Sequence, residues 1–234
     1  MSQPFPNKAS PMSALNRPTF SPLLVLAMLV LAVAVWVFAP AEAILHWTAE
    51  HGPIEMSTAV LFVVAAVVAL VRFAFDRTTR GSALALALLL LACAARELDW
   101  HIELTGMSIL KSRFYLGDAP LAHKLGALAV VGVLAAAGLY LLRRHGRQLL
   151  QAFRRSSAAA ITAVTAGAVL VGTKLLDRSL GVLSESFGVS SSRSVYALQA
   201  VIEEPLELGL PVLVIVGLLQ ARSGAEAQAA GRPA

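Results

Sequence analysis

The sequence predicts an all-α fold: an integral membrane bundle of six transmembrane helices with both termini cytoplasmic. Three observations carry that expectation. First, hydrophobic residues make up 57% of the 234-residue chain, charged residues only 14%, and mean hydropathy is +0.73. That leaves too little polar surface to cover a soluble domain of this size. Second, apolar runs near 22–39, 54–75, 82–102, 123–142, 157–176 and 196–220 are long enough to be candidate spans. Third, alternating sides along those runs separates the charges. One side collects Lys8 and Arg17, then Arg72, Arg77 and Arg80, then Arg143, Arg144, Arg147, Arg154 and Arg155, and finally Arg222 and Arg232. By the positive-inside rule that side is cytoplasmic. Of the 14 acids only Asp76 and Glu226 fall there, so the rest are expected on the outer side, the periplasm of a bacterium.

The same sorting accounts for the net charge of +5 and the pI near 9.9. A basic soluble chain would suggest nucleic acid, but no nucleic-acid module is present. The single Cys93 excludes an intramolecular disulfide and a cysteine-only metal site.

Taken in order, residues 1–21 read as a disordered cytoplasmic tail. The first span follows, with a second reading as a secretory signal cleaved at Ala39-Pro40-Ala41 or Ala41-Glu42-Ala43. Gly52-Pro53 turns the chain into the second span, with Glu55 in its opening turn, where an acid suits the helix dipole. The fourth and fifth spans carry Gly126, Gly132, Gly138, Gly167 and Gly172, which offer small faces for close packing. Their connection, 143–156, reads as a short basic loop, with His145 solvated. Residues 221–234 read as a second disordered tail, so the bundle occupies 22–220.

The third, fifth and sixth spans are short of apolar residues. The uninterrupted stretch of the third runs only from Ala83 to Ala95, whereas crossing about 30 Å of hydrocarbon takes about 20 residues at 1.5 Å each. The helix is therefore expected to continue through Arg96-Glu97-Leu98-Asp99-Trp100-His101. The sixth span, apolar from Leu208 to Leu219, must reach back through Glu207, Glu204 and Glu203, and the fifth meets Lys174 and Asp177. A charge near the middle of a span costs roughly 2.5–3.5 kcal/mol on insertion scales. Charged groups at the same outer depth on three helices are thus expected to converge on a polar pocket lined by spans 2, 3, 5 and 6, away from lipid.

Helical spacing sorts these groups by face. Cys93, Glu97 and His101 form one stripe, and Tyr196, Gln199, Glu203 and Glu207 another, with Glu204 turned away. Pro205 removes the N–H that would bond residue 201 and can kink the last helix. Glu97, His101, Glu203 and Glu207, with Glu55 as a further candidate, are ligand types for one divalent metal ion such as zinc, manganese or iron. The same groups also read as a structural ion-pair network with Arg96, Lys174 and Arg178, or as proton-carrying carboxylates. Cys93 reads as a small packing residue. In the third loop, 103–120, Lys111 and Arg113 are candidates for holding a phosphate or an anionic lipid headgroup; Met107–Leu116 alternatively reads as a re-entrant or interfacial segment.

The runs RELDWH (96–101), TGMSILKSRFY (105–115), AHKLGA (122–127), TKLLDR (173–178) and IEEPLELGLP (202–211) resemble an uncharacterised family of bacterial inner-membrane proteins. The resemblance covers roughly residues 45–220. It implies that Glu97, Asp99, His101, Lys111, Phe114, Tyr115, Lys174, Asp177, Glu203, Glu204 and Glu207 are family pattern positions, and it implies no activity. The seven-helix metal-dependent amide hydrolases of membranes place paired histidines in a late helix, where this chain has glutamates.

Three functions are consistent with these residues in a bacterial cytoplasmic membrane. One is binding or transport of a cation or proton by Glu55, Glu97, His101, Glu203 and Glu207, with Lys174 and Arg96 as counter-charges. Another is a metal-dependent hydrolase acting on a lipid or lipid-linked substrate, its divalent ion activating water. The last is a structural or sensory subunit in which the charges fix helix packing.

Overall fold

The computed structural model describes residues 14–49, 52–75, 78–188 and 191–230. Lys8, Glu50, His51, Asp76, Arg77 and Arg232 lie outside the described residues, as do the side chains of Arg72, Arg222 and Glu226. Helices form the whole secondary structure among the described residues, with no strand. In chain order they are α1 (Phe20–Phe38), α2 (Ala41–Trp47), α3 (Pro53–Phe75), α4 (Arg80–Glu97), α5 (Trp100–Thr105), α6 (Ser112–Leu116), α7 (Leu121–Arg154), α8 (Ala158–Phe187) and α9 (Arg193–Ala230).

Local chemistry sets most of the boundaries. Pro40 forces Ala39 into the extended region (ψ 145°), which ends α1 and starts α2. Pro53 opens α3, where a missing N–H costs nothing. Gly106 and Gly188, at φ 73° and 64°, end α5 and α8 in the left-handed conformation that glycine adopts without strain. Pro205 and Pro211 are both accommodated within α9.

α9 is the central element, packing on α1, α2, α3 and α8. The main core brings together Phe62, Ala65, Ala66 and Ala69 of α3 with Ala87, Leu90 and Ala94 of α4, Val169 of α8, and Leu210 and Leu213 of α9. The spacing 62, 65, 66, 69 is one face of a helix, and its alanines let the backbones approach closely. Cys93 packs at the edge of this core. A smaller cluster seats Ile44 of α2 against Ala197 and Val201 of α9. Below the main core, Ser21, Thr162 and Gln220 form a buried chain of hydrogen bonds. Ser21 and Thr162 approach to 2.5 Å, and the Thr162 hydroxyl donates to Gln220 Oε1 at 2.7 Å. Gln220 Nε2 donates in turn to the Leu15 carbonyl at 2.7 Å.

Among the described residues four helices, α1, the Pro53–Val71 part of α3, α7 and α8, are long and apolar enough to cross a membrane. Large apolar residues such as Leu26, Val30, Val60, Val67, Leu128, Val133 and Leu170 are exposed around the bundle. A soluble monomer rarely shows so continuous an apolar exterior, and it suits a membrane protein facing lipid tails.

Several expectations are corrected. The third span does not run on through His101: α4 stops at Glu97, Asp99 takes a left-handed conformation (φ 50°), and α5 restarts at Trp100. Asp is among the few residues that tolerate this geometry, so no glycine announces the break. The basic connection 143–156 is mostly helix, because α7 continues to Arg154 and turns only at Arg155–Ser157. At 1.5 Å per residue its 34 residues extend about 51 Å, well beyond a hydrocarbon layer of about 30 Å. The segment after Gln220 also continues as helix, to Ala230, as a run rich in alanine favours. At the N-terminus, Ser21 is fully buried, so order begins before residue 22. Gly126, Gly132, Gly138, Gly167 and Gly172 meet no neighbour where a Cβ would project. The close approaches fall elsewhere, at Gly81 against Tyr140, Gly209 against Met28 and Gly217 against Thr162.

Candidate functional site: the charged ends of four helices

The first turn of α3, the last turn of α4, the second half of α8 and the first half of α9 bring charged side chains together. At their centre Lys174 Nζ lies 2.5 Å from Glu207 Oε1. The Glu207 side chain is 9% exposed and that of Lys174 35%, but the lysine's exposure is on its stem, because both charged atoms are shut away from solvent. Neither atom has a hydrogen bond of acceptable angle among the described residues, so the contact is an ion pair held by charge and proximity.

Glu97 comes from α4 with a side chain 7% exposed, and its Oε1 lies 3.4 Å from Nη1 of the adjacent, more exposed Arg96. Its electrostatic neighbours are Glu207, Arg96, Lys174 and Glu55, so groups from all four helices act on one carboxylate. Glu203 and Glu204 are half-buried. Glu203 accepts a 3.4 Å hydrogen bond from Gln199 Nε2, which also donates to the Asp177 carbonyl at 3.2 Å, tying α9 to α8. Glu204, expected to turn away from the Glu203/Glu207 stripe, lies within electrostatic reach of Glu207, Glu203, Glu55 and Glu97.

The other expected residues lie apart from this centre. His101 belongs to α5, beyond the Asp99 break, and its Nε2 is 3.1 Å from Ser108 Oγ. Asp177 is exposed on α8 at the margin of the cluster, within electrostatic reach of Glu203. Lys111 and Arg113 are exposed, while Phe114, the residue after Arg113, is buried and stacks edge-on with Tyr115, with ring centres 5.1 Å apart. That aromatic anchor holds the loop against the bundle and turns its two cations outward. Among the described residues no group of three or more His, Cys, Asp or Glu side chains is arranged to hold a metal ion. The physical reason is visible in the geometry: Glu207 is engaged by Lys174, and the helix break takes His101 off the Glu97 stripe.

Sequence reasoning missed two polar contacts at the opposite end. Ser82 Oγ and His145 Nε2 meet at 2.6 Å, so His145 is half-buried against α4. The Arg144 guanidinium donates to the Thr78 carbonyl at 2.9 Å. The continuing helical period through 141–152 was the signal available, since Leu141, His145, Leu149 and Ala152 fall on one face.

No family model, no curated protein and no solved structure matches this chain.

Proposed function

We propose that the chain crosses a bacterial cytoplasmic membrane six times, with both termini cytoplasmic, and binds or moves a proton or small cation at Glu97 and Glu207. Lys174 is the resident counter-charge. The observation that carries this reading is the Lys174–Glu207 pair, buried between α8 and α9 with Glu97 beside it. Around it, among the described residues, five carboxylates, Glu97, Asp177, Glu203, Glu204 and Glu207, have two nearby cations, Lys174 and Arg96. A bilayer interior does not support an uncompensated excess of negative charge, so protons or entering cations balance it. An entering cation competes with the Lys174 ammonium for Glu207, which couples binding to movement of a flexible side chain.

The experiment is flux in sealed proteoliposomes carrying an internal pH dye, with an imposed sodium, potassium or proton gradient. Wild type is expected to dissipate at least one gradient and Glu97→Gln/Glu207→Gln to be inactive. Equal flux in both, or none in wild type above protein-free vesicles, rejects the proposal. The pairing of Lys174 with Glu207 also favours a packing role. That second reading expects Lys174→Met/Glu207→Leu to be stable and expects no cation to alter the stability of wild type. The divalent-metal hydrolase is the weaker alternative, since its four expected ligands are not gathered.

A further inference from the structure

Ser82 and His145 are separated by 63 positions in the sequence and joined at 2.6 Å in the fold. Their contact forms part of the wall of a groove of about 1020 Å³ enclosed by α4, α7, α8 and α9. The groove lies at the other end of the bundle from the carboxylates: Ser82 and Glu97 stand 15 residues apart on α4, about 22 Å at 1.5 Å per residue. It exists because α7 packs on α4 and α8 without closing on α9, and because α8 faces it with Ala159, Ala160 and Ala163. Its volume is at the upper end of ordinary ligand sites, about 300–1,000 Å³.

The lining is divided by chemistry. Leu86, Leu149 and Val214 present apolar surface along the groove, while Ser82, His145 and Gln148 supply hydrogen-bonding groups. The flanking segments are strongly one-signed. Residues 78–86, 139–163 and 210–221 contain Arg80, Arg143, Arg144, Arg147, Arg154 and Arg155 and no acid at all. Arg144 reaches across to the Thr78 carbonyl, next to Thr79 on the groove wall. An apolar trough with hydroxyl and imidazole groups in its wall, and with the Arg144 guanidinium bonded to Thr78 beside that wall, complements a molecule with a hydrocarbon tail and an anionic head. A purely apolar occupant would leave the polar end unused, and a free anion would leave the trough empty.

We propose that this groove binds an anionic phospholipid of the surrounding bilayer. One acyl chain lies along Leu86, Leu149 and Val214, and the phosphate is held by the Ser82–His145 pair and the adjoining arginines. The site is independent of the carboxylate cluster and rests only on the chain being a membrane protein.

The test uses the full chain in phosphatidylcholine nanodiscs doped with phosphatidylglycerol bearing a diazirine on its acyl chain. After illumination, adducts are mapped by mass spectrometry. They are expected to concentrate on groove residues and to fall severalfold when unlabelled phosphatidylglycerol is added, but not with the same amount of added phosphatidylcholine. Ala163→Phe, which fills the trough from α8, should abolish them. Arg144→Gln/His145→Gln should erase the preference between the two headgroups. Adducts spread evenly over outward positions such as Leu128 and Val133, or equal competition by both lipids, would each overturn the proposal. If Ala163→Phe does not fold, the competition on wild type decides by itself.

Discussion

Replacing Lys174 with methionine keeps the length and most of the apolar stem of the side chain and deletes its charge. Glu207, with its side chain 9% exposed, then keeps the nearby Glu97, 7% exposed, whose own cation is Arg96, with a side chain 42% exposed. The gross attraction lost at 2.5 Å is about 7 kcal/mol for an effective dielectric of 20. The desolvation that pairing had already cost offsets part of this, so breaking the pair is expected to destabilise by about 3–5 kcal/mol. For a chain of this length that lowers the thermal midpoint by an order of 10 °C. Glu207→Gln should cost about half as much, because the Lys174 stem is already partly exposed and its ammonium can swing outward to water. Lys174→Met/Glu207→Leu, which removes both charges, should return to within about 2 kcal/mol of wild type. The assay is thermal unfolding of the detergent-solubilised protein, followed by loss of the monodisperse peak on size exclusion. A Lys174→Met midpoint equal to wild type, or a double variant worse than either single one, refutes the reasoning.

Other perturbations probe the scaffold by the same assay. Asp99→Gly relieves a left-handed residue (φ 50°) and should be neutral or stabilising by about 1 kcal/mol, whereas Asp99→Val should destabilise by 1 kcal/mol or so. A Cβ at Gly81 would fall 2.6 Å from Tyr140 Oη, so Gly81→Ala should destabilise by about 1–3 kcal/mol, and adding Tyr140→Phe should restore part of the loss. Gln220→Leu leaves Thr162 with Ser21 alone and the Leu15 carbonyl without its donor, and should cost about 1–3 kcal/mol; a midpoint unchanged from wild type would remove that network from the account of the core.

The part of the fold that was legible in the sequence came from lengths. Apolar stretches too short to cross a bilayer forced Glu97, Lys174, Glu203 and Glu207 to be read as belonging to helices, and α4, α8 and α9 carry them. Their side chains could be placed on faces by period, but a period gives no partner, so Lys174 beside Glu207 was one of several pairings the sequence allowed. His101 was misplaced because a helical stripe assumes an unbroken helix, and a left-handed Asp leaves no mark in composition. The exposed glycines of α7 and α8 were misread for a related reason: a small residue permits close approach, and whether a neighbour comes is decided elsewhere. His145 was hidden by its setting, since a histidine among arginines reads as solvated until the facing Ser82 is known.

The central claim is that carboxylates of α3, α4 and α9 share with Lys174 of α8 one interior open to water at a single end of the bundle. A water-soluble carbodiimide with an amine nucleophile, added to sealed vesicles of known orientation, measures this directly, with adducts located by mass spectrometry. The account predicts modification of Glu97, Glu203 and Glu204 only from the face opposite the arginine-rich turns, diminished by the cation that the flux assay identifies. Labelling of these residues from the arginine-rich face, or only by a lipid-soluble carbodiimide, would contradict it.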